Sequence, residues 1–158
     1  MEPDSSADLI ASFDNPASMD SWEAFIAFIE SQADALLGEG AANYRLRLAC
    51  EELLSNSIRH AQWPESGSTQ TQPHIWLRVL RVPGSPPELV FELDDNGNHF
   101  DPQLHKPKDI DSHLPVGERP IGGLGLFLVQ QSVDRVEYLW TGDRNRYRLF
   151  VKMPSTLS

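Results

Sequence analysis

The chain has 158 residues and a single cysteine, Cys50. One thiol excludes an intrachain disulfide and any cysteine-built zinc site. It also makes a reducing compartment, the cytoplasm, the expected location. Long apolar runs are missing too: a stretch such as Leu124–Val129 is far too short to span a bilayer. No basic segment followed by an apolar one opens the chain, so neither a membrane span nor a secretory leader is expected. Bases are absent from the first 44 positions, which hold nine acids; the first base is Arg45. The rest carries 14 acids against 13 bases, so the net charge of −10 comes almost wholly from the N-terminal part. Duplex nucleic acid needs a basic face, and direct nucleic-acid binding is not expected. The acidic part is either a solvated surface or a docking surface for a basic partner. Repeats and low-complexity tracts are lacking as well.

What is present suits one globular domain. With 40% hydrophobic and 23% charged residues, the chain can bury a proper core. A large multidomain enzyme, a collagen-like fibre and a fully disordered chain are excluded. Residues 1–7 read as a disordered N-terminus, 8–153 as the domain and 154–158 as a tail. Asp8–Phe13 is a short strand of mixed period, and Asn15-Pro16 is expected to break it. Trp22, Phe25, Ile26 and Ile29 recur at helical spacing, so Ser18–Leu37 is a helix ended by Gly38 and Gly40. Ala42–Ala61 is a second helix, stopped before Pro64. After a loop over Glu65–Pro73, His74–Val82 and Glu88–Leu93 form a hairpin around Pro83–Pro87. Asp94–Ile121 is irregular, Gly122–Ser132 is a third helix, and Val136–Thr141 and Tyr147–Met153 are the last strands. This order predicts an α+β fold, a two-layer α/β sandwich whose mixed, mostly antiparallel sheet carries helices on one face. Such a sheet leaves its other face to water or to another subunit, as in a homodimer.

The second helix has two faces. At 100° per residue from Leu46, the residues Leu46, Cys50, Leu53, Leu54, Ser57 and Ala61 share about 100° of arc and form the buried face. Glu52, Asn56 and Arg59 stack one turn apart on the opposite side, with His60 at the edge. Glu51 points elsewhere and is structural. By itself this stripe is either an ordinary solvated face or a site. As a site, Glu52 handles a proton or water, and Asn56 offers a neutral oxygen to a hard cation such as Mg²⁺.

Two further segments carry chemistry. Asp94-Asp95-Asn96-Gly97 follows a strand and reads as a turn. As a site, Asp95 accepts a hydrogen bond from a ligand amine, and Gly97 lets backbone approach that ligand. Gly122-Gly123-Leu124-Gly125 opens the third helix, where backbone N–H groups face an anion; close helix packing explains the same glycines. No Gly-Lys-Ser/Thr follows, so it is not a P-loop, and the Rossmann spacing is missing. The preceding loop, Asp101–Ile121, is too long for a mere connector. With Lys106, Lys108 and Arg119 it can close over phosphates as a lid. His74, His105 and His113 have no metal-ligand spacing.

In this order the segments ELLSNSIRHA (52–61), DDNGNHFDP (94–102) and ERPIGGLGLFLV (118–129) resemble the N, G1 and G2 boxes of the GHKL ATPase superfamily. With the ending VDRVEY (133–138), Gly142 and Arg144-Asn145-Arg146, the chain is similar to bacterial anti-sigma-factor serine/threonine kinases over about residues 8–153. The resemblance implies a Bergerat fold with ATP held between helices and lid. It implies Asn56 as the Mg²⁺ ligand, Glu52 as catalytic base and Asp95, beside Gly97, as partner of the adenine amine. It further implies Gly122, Gly123, Leu124 and Gly125 around the phosphates, Arg59 and His60 as phosphate contacts, and Arg119 as a lid arginine for the γ-phosphate or the protein partner. The partners it implies are a sigma factor or similar regulator and a STAS-type anti-anti-sigma protein, phosphorylated on serine or threonine. A non-catalytic ATP-binding module that only sequesters its partner needs the same pocket. His99 stands where the wider superfamily has a second glycine, and Pro120 stiffens the end of the lid. The chain lacks a phospho-acceptor histidine helix pair, unlike a sensor histidine kinase, and is far shorter than a gyrase-type ATPase.

Overall fold

A computed structural model of the chain describes residues 7–60, 72–99 and 129–153, the side chains of residues 59 and 60 excepted. Strand β1 spans Asp8–Pro16, helix α1 Trp22–Leu37 after a 3-10 turn at Met19–Ser21, and helix α2 Ala41–His60. Strands β2 (His74–Val82), β3 (Glu88–Asp95), β4 (Arg135–Trp140) and β5 (Asn145–Lys152) complete one five-stranded sheet of order β1-β2-β3-β5-β4. Every pairing among these strands is antiparallel, which narrows the mixed sheet expected from sequence. Residues 129–132 are helical, the end of the expected third helix; its start, the lid, Ala61 and the tail lie outside the described residues. Ala7, the one described residue of the N-terminal segment, packs near Leu80, Val90 and Phe150. Among the described residues no helix is long and apolar enough to cross a membrane.

Several details differ from expectation for physical reasons. Asn15 and Pro16 do not break β1 but pair with Ile75 and His74. Proline is tolerated there because β1 is the edge of the sheet, with no outer neighbour among the described strands needing its N–H. The mixed period of β1 comes from a bulge between Leu9 and Ala11, which puts Leu9 and Ile10 at the surface. Asp94 and Asp95, expected in a turn, are the last two residues of β3, because Arg146 and Asn145 of β5 pair opposite them.

The core lies between the helices and one face of the sheet. Phe25, Ile29 and Ala33 of α1 meet Leu46, Leu53 and Leu54 of α2, and both rows cover Ile75, Leu77 and Val79 of β2 with Leu89, Phe91 and Leu93 of β3. Each buried leucine, isoleucine or phenylalanine of this kind contributes roughly 1.5–3 kcal/mol. Cys50 is buried here too, against Phe28, Leu53 and Leu149, and burial pushes its thiol pKa well above the ordinary range. The α1–α2 joint sets the angle of α2. Gly38 has φ 68°, a left-handed value that glycine adopts without strain, and its N–H donates to the Asp34 carbonyl at 3.0 Å. Asn43 Nδ2 then donates to the Gly38 carbonyl and to Asp34 Oδ1, both at 2.8 Å. Arg47 pairs with Glu30 at 2.9 Å across the two helices.

Candidate functional site

The pleat of β3 sends Asp95 to the helix side and Asp94 to the other. Asp95 is only 2% exposed and lies under the last third of α2. Ser57 Oγ of α2 donates to Asp95 Oδ2 at 3.1 Å, which latches the helix to the end of β3. The Gly97 N–H donates to Oδ1 at 3.0 Å, and Asn145 Nδ2 donates to the same oxygen at 2.9 Å. All three donors are neutral. Burial therefore raises the Asp95 pKa, the hydrogen bonds from Asn145, Gly97 and Ser57 oppose the rise, and the charge of Asp94 adds to it. An ionised carboxylate has about four acceptor positions. Donors among the described residues fill three, which leaves room for one further donor, such as a ligand amine.

The same helix carries the polar stripe. Leu46, Cys50, Leu53, Leu54 and Ser57 are all buried, as the helical arc requires, while Glu52 and Asn56 are half-buried on the other side. Ser57 follows Asn56 directly, so the latch to Asp95 also fixes where the stripe ends. No hydrogen bond or ion pair to another described residue engages Glu52 or Asn56. Among the described residues no three His, Cys, Asp or Glu side chains gather to hold a metal ion. A cation carried by the ligand and touched by one amide oxygen is the arrangement these donors suit. Arg59 and His60 lie in the last turn of α2, with side chains outside the described residues. Lys106, Lys108, Arg119, Gly122, Gly123, Leu124 and Gly125 also lie outside them.

Asn145 and Tyr138, to which the sequence alone gives no site role, hold the turn after β3 together with His99. Asn145, 2% exposed, lies opposite Asp95 in the β3–β5 register. Besides Asp95, its Nδ2 reaches the carbonyls of Asn98 at 2.9 Å and Gly97 at 3.5 Å. Tyr138 Oη donates to Asn145 Oδ1 at 2.5 Å. His99 stacks on Trp140 with ring centroids 4.7 Å apart and planes at 19°. On the far side of the turn, Asn96 accepts from the His74 N–H at 2.9 Å and donates to the Gln72 carbonyl at 2.8 Å. The usable sequence signal was alternation: Asn145, Tyr147, Leu149 and Val151 share one face of β5, so the asparagine belongs to the helix side. The turn that starts β5 is tight. Gly142 has φ 109°, and Thr141 Oγ1 accepts from the Arg144 N–H at 3.1 Å.

The opposite face is ionic. Glu92 accepts from Arg78 Nε at 2.7 Å and Arg148 Nε at 3.0 Å. Asp94 accepts from Arg146 Nε and Nη2 at 2.8 and 2.9 Å, with Arg144 Nη1 at 3.4 Å. Arg144 also lies 3.6 Å over the Trp76 ring. His74 completes this face, 2.8 Å from Asp14 and with its ring tilted against that of Trp76, centroids 4.7 Å apart.

Residues 15–150 match the family model of the histidine kinase-like ATPase domain. The chain is 34% identical over 97 residues to the serine-protein kinase RsbW of Listeria innocua, covering 58% of this chain and 55% of that protein. It is 31% identical, with the same coverage, to the serine-protein kinase RsbW of Listeria monocytogenes. The chain thus spans about half the length of these curated relatives. Among solved structures, the histidine kinase domain of a blue-light-activated histidine kinase from Erythrobacter litoralis is 16% identical with a TM-score of 0.45, covering 82% of this chain and 60% of that one.

Proposed function

The chain belongs to the histidine kinase-like ATPase domain family, and from that premise we propose that it is a cytoplasmic, Mg·ATP-dependent protein serine/threonine kinase of the anti-sigma-factor type. It sequesters a sigma factor or similar regulator and phosphorylates a STAS-type anti-anti-sigma protein. The main support is Asp95: a buried carboxylate held by three neutral donors, with an acceptor position to spare, latched through Ser57 to the helix that carries Glu52 and Asn56. The similarity to two proteins named serine-protein kinase supports the type of reaction.

Asp95 accepts the exocyclic amine of adenine, and guanine, with a carbonyl there, is disfavoured. Asn56 supplies a neutral oxygen to Mg²⁺. Bound Mg²⁺ neutralises charge developing on the phosphates. Gly122, Gly123, Leu124 and Gly125, with Arg59, His60 and Arg119, are assigned to the phosphates on sequence alone. Glu52 takes the proton of the acceptor hydroxyl. The hydroxyl oxygen forms the new bond to the γ-phosphorus as the bond to the bridging oxygen of ADP breaks. The products are the phosphorylated side chain and ADP.

The deciding experiment pairs calorimetric titration of Mg·ATP with transfer of labelled γ-phosphate to a STAS-domain protein. Binding and transfer are expected, and Asn56→Ala should lose the metal-dependent part of the affinity. Binding of ATP and a sigma factor without transfer would reduce the function to sequestration. Absence of adenine-nucleotide binding would overturn it.

A further inference from the structure

We infer that Tyr138 is a positioning residue for adenine recognition, acting through Asn145 on Asp95 and the 95–98 turn; this rests on the proposed ATP-binding function. The relay crosses three strands. Tyr138 on β4 donates to Asn145 Oδ1 on β5, and Asn145 Nδ2 donates to Asp95 Oδ1 at the end of β3. The same amide group reaches the Asn98 carbonyl at 2.9 Å. A primary amide has one acceptor end and one donor end. Turned over, Asn145 would aim its oxygen at the Asp95 carboxylate and at the Gly97 and Asn98 carbonyls, which are acceptors throughout. The Tyr138 hydroxyl, donating to the oxygen, holds the amide the right way round. It also polarises the amide and strengthens the bonds its N–H groups make.

This arrangement matters for recognition because Asn145 competes for the oxygen it positions. It pins Asp95 Oδ1 together with the Gly97 N–H, so the remaining acceptor position points in one fixed direction before any ligand arrives. Such preorganisation spares the ligand the cost of ordering the turn. It also favours an amine over a carbonyl at that place, since a mobile carboxylate could turn away from a poor partner. The tyrosine ring does not depend on its hydroxyl for its place. It lies 5.2 Å from the Tyr147 ring and parallel to His99 within 5°. Removing only the hydroxyl therefore leaves the packing intact.

Tyr138→Phe is the clean variant, and Asn145→Ala the stronger one. For Tyr138→Phe we expect the KM for ATP to rise roughly three- to tenfold, the size of one net hydrogen bond, with kcat unchanged. The preference for ATP over GTP should fall by a similar factor. In the nucleotide-free protein, NMR should show faster hydrogen exchange of the Gly97 amide, which Asp95 holds, while the amides of β3 from Leu89 to Leu93 keep their protection. Asn145→Ala should exceed Tyr138→Phe in both readouts; if it fails to fold, Tyr138→Phe decides alone. A lower melting temperature with unchanged ATP:GTP preference and unchanged Gly97 exchange would make Tyr138 merely structural and sink the inference. Failure of the wild-type chain to bind ATP is a separate result, visible before any variant is made; it removes the proposed function and the adenine role of Tyr138 with it.

Discussion

Asp94 and Asp95 are neighbours in sequence, equally buried, and treated oppositely by the fold. Asp94 faces the side of the sheet away from the helices, where Arg146 and Arg144 neutralise it. Asp95 faces the helices, where, among the described residues, a hydroxyl, an amide and a backbone N–H hold it and no cation does. The difference extends to the two faces as wholes. The face away from the helices pairs each buried acid with guanidinium groups: Glu92 with Arg78 and Arg148, Asp94 with Arg144 and Arg146. The hydrogen bond to Glu92 even raises the already high pKa of Arg78. A carboxylate saturated by cations has nothing left to offer a ligand. One held by neutral donors keeps its charge available, and it costs stability to do so. On the proposed function, the ionic face is architecture and the helix face carries the chemistry.

Four substitutions test that division. Glu52→Gln, on the helix face, should lower phosphoryl transfer by about 10²–10⁴-fold and leave ATP affinity unchanged; near-normal transfer would remove Glu52 as the base. Glu92→Gln, on the ionic face, removes the buried charge that Arg78 and Arg148 both pair with and should cost on the order of 3 kcal/mol of stability, read by urea unfolding. The folded fraction should retain the wild-type KM for ATP; a changed KM would show that the two faces are coupled. Asp95→Asn should weaken ATP by roughly ten- to a hundredfold, because a hydrogen bond to a charged group is worth about 1.5–3 kcal/mol. Ser57→Ala should weaken ATP only a few-fold, the size of one neutral hydrogen bond at about 1 kcal/mol. Equal affinities for these last two variants and the wild type would mean that Asp95 is as structural as Asp94.

Asp95→Asn also carries a pH signature. The Asp95 carboxyl titrates higher in the fold than its ordinary value of 3.8, so folding favours the protonated form. Its contribution to stability is greatest at acid pH and declines as pH rises from the ordinary value through the raised one. Against the wild type, Asp95→Asn should therefore gain relative stability over that window and keep the gain at neutral pH. Unfolding curves at pH 3 to 8, a range set by the ordinary carboxylate and neutral limits, would show it. A constant difference between the two proteins would refute the burial cost.

Much of this was legible in local patterns. The alternation of His74–Val82 specified both the strand and the face that Ile75, Leu77 and Val79 bury. The helical arc of the second helix placed Leu46, Cys50, Leu53, Leu54 and Ser57 inside and Glu52 and Asn56 on the other side, and their burial agrees. What escaped depends on partners far along the chain. Aspartates are poor strand formers, and Asp94 and Asp95 extend β3 only because Arg146 and Asn145 wait about 50 positions later. Pro16 looks like a breaker until β1 is known to be an edge. Ser57 was assigned correctly to the buried face, but nothing local says that its hydroxyl meets a carboxylate 38 residues away. Asn145 sits between two arginines, where it resembles a turn residue, and its role emerges only from the register that brings it opposite Asp95.

The lone thiol of Cys50 makes the protein its own stopwatch. It lies on the inner face of α2, 6% exposed and with its ionisation suppressed by burial. A thiolate is the form that attacks a disulfide reagent, so the closed domain is inert towards one. Labelling therefore requires an opening that parts the inner face of α2 from the sheet or from α1. Under fast reclosing the labelling rate is the opening equilibrium multiplied by the rate for a free thiol. Any ligand that grips α2 and β3 together should slow labelling in proportion to its occupancy. Without a mutation or an added dye, the chain reports how often its two layers part and what holds them shut.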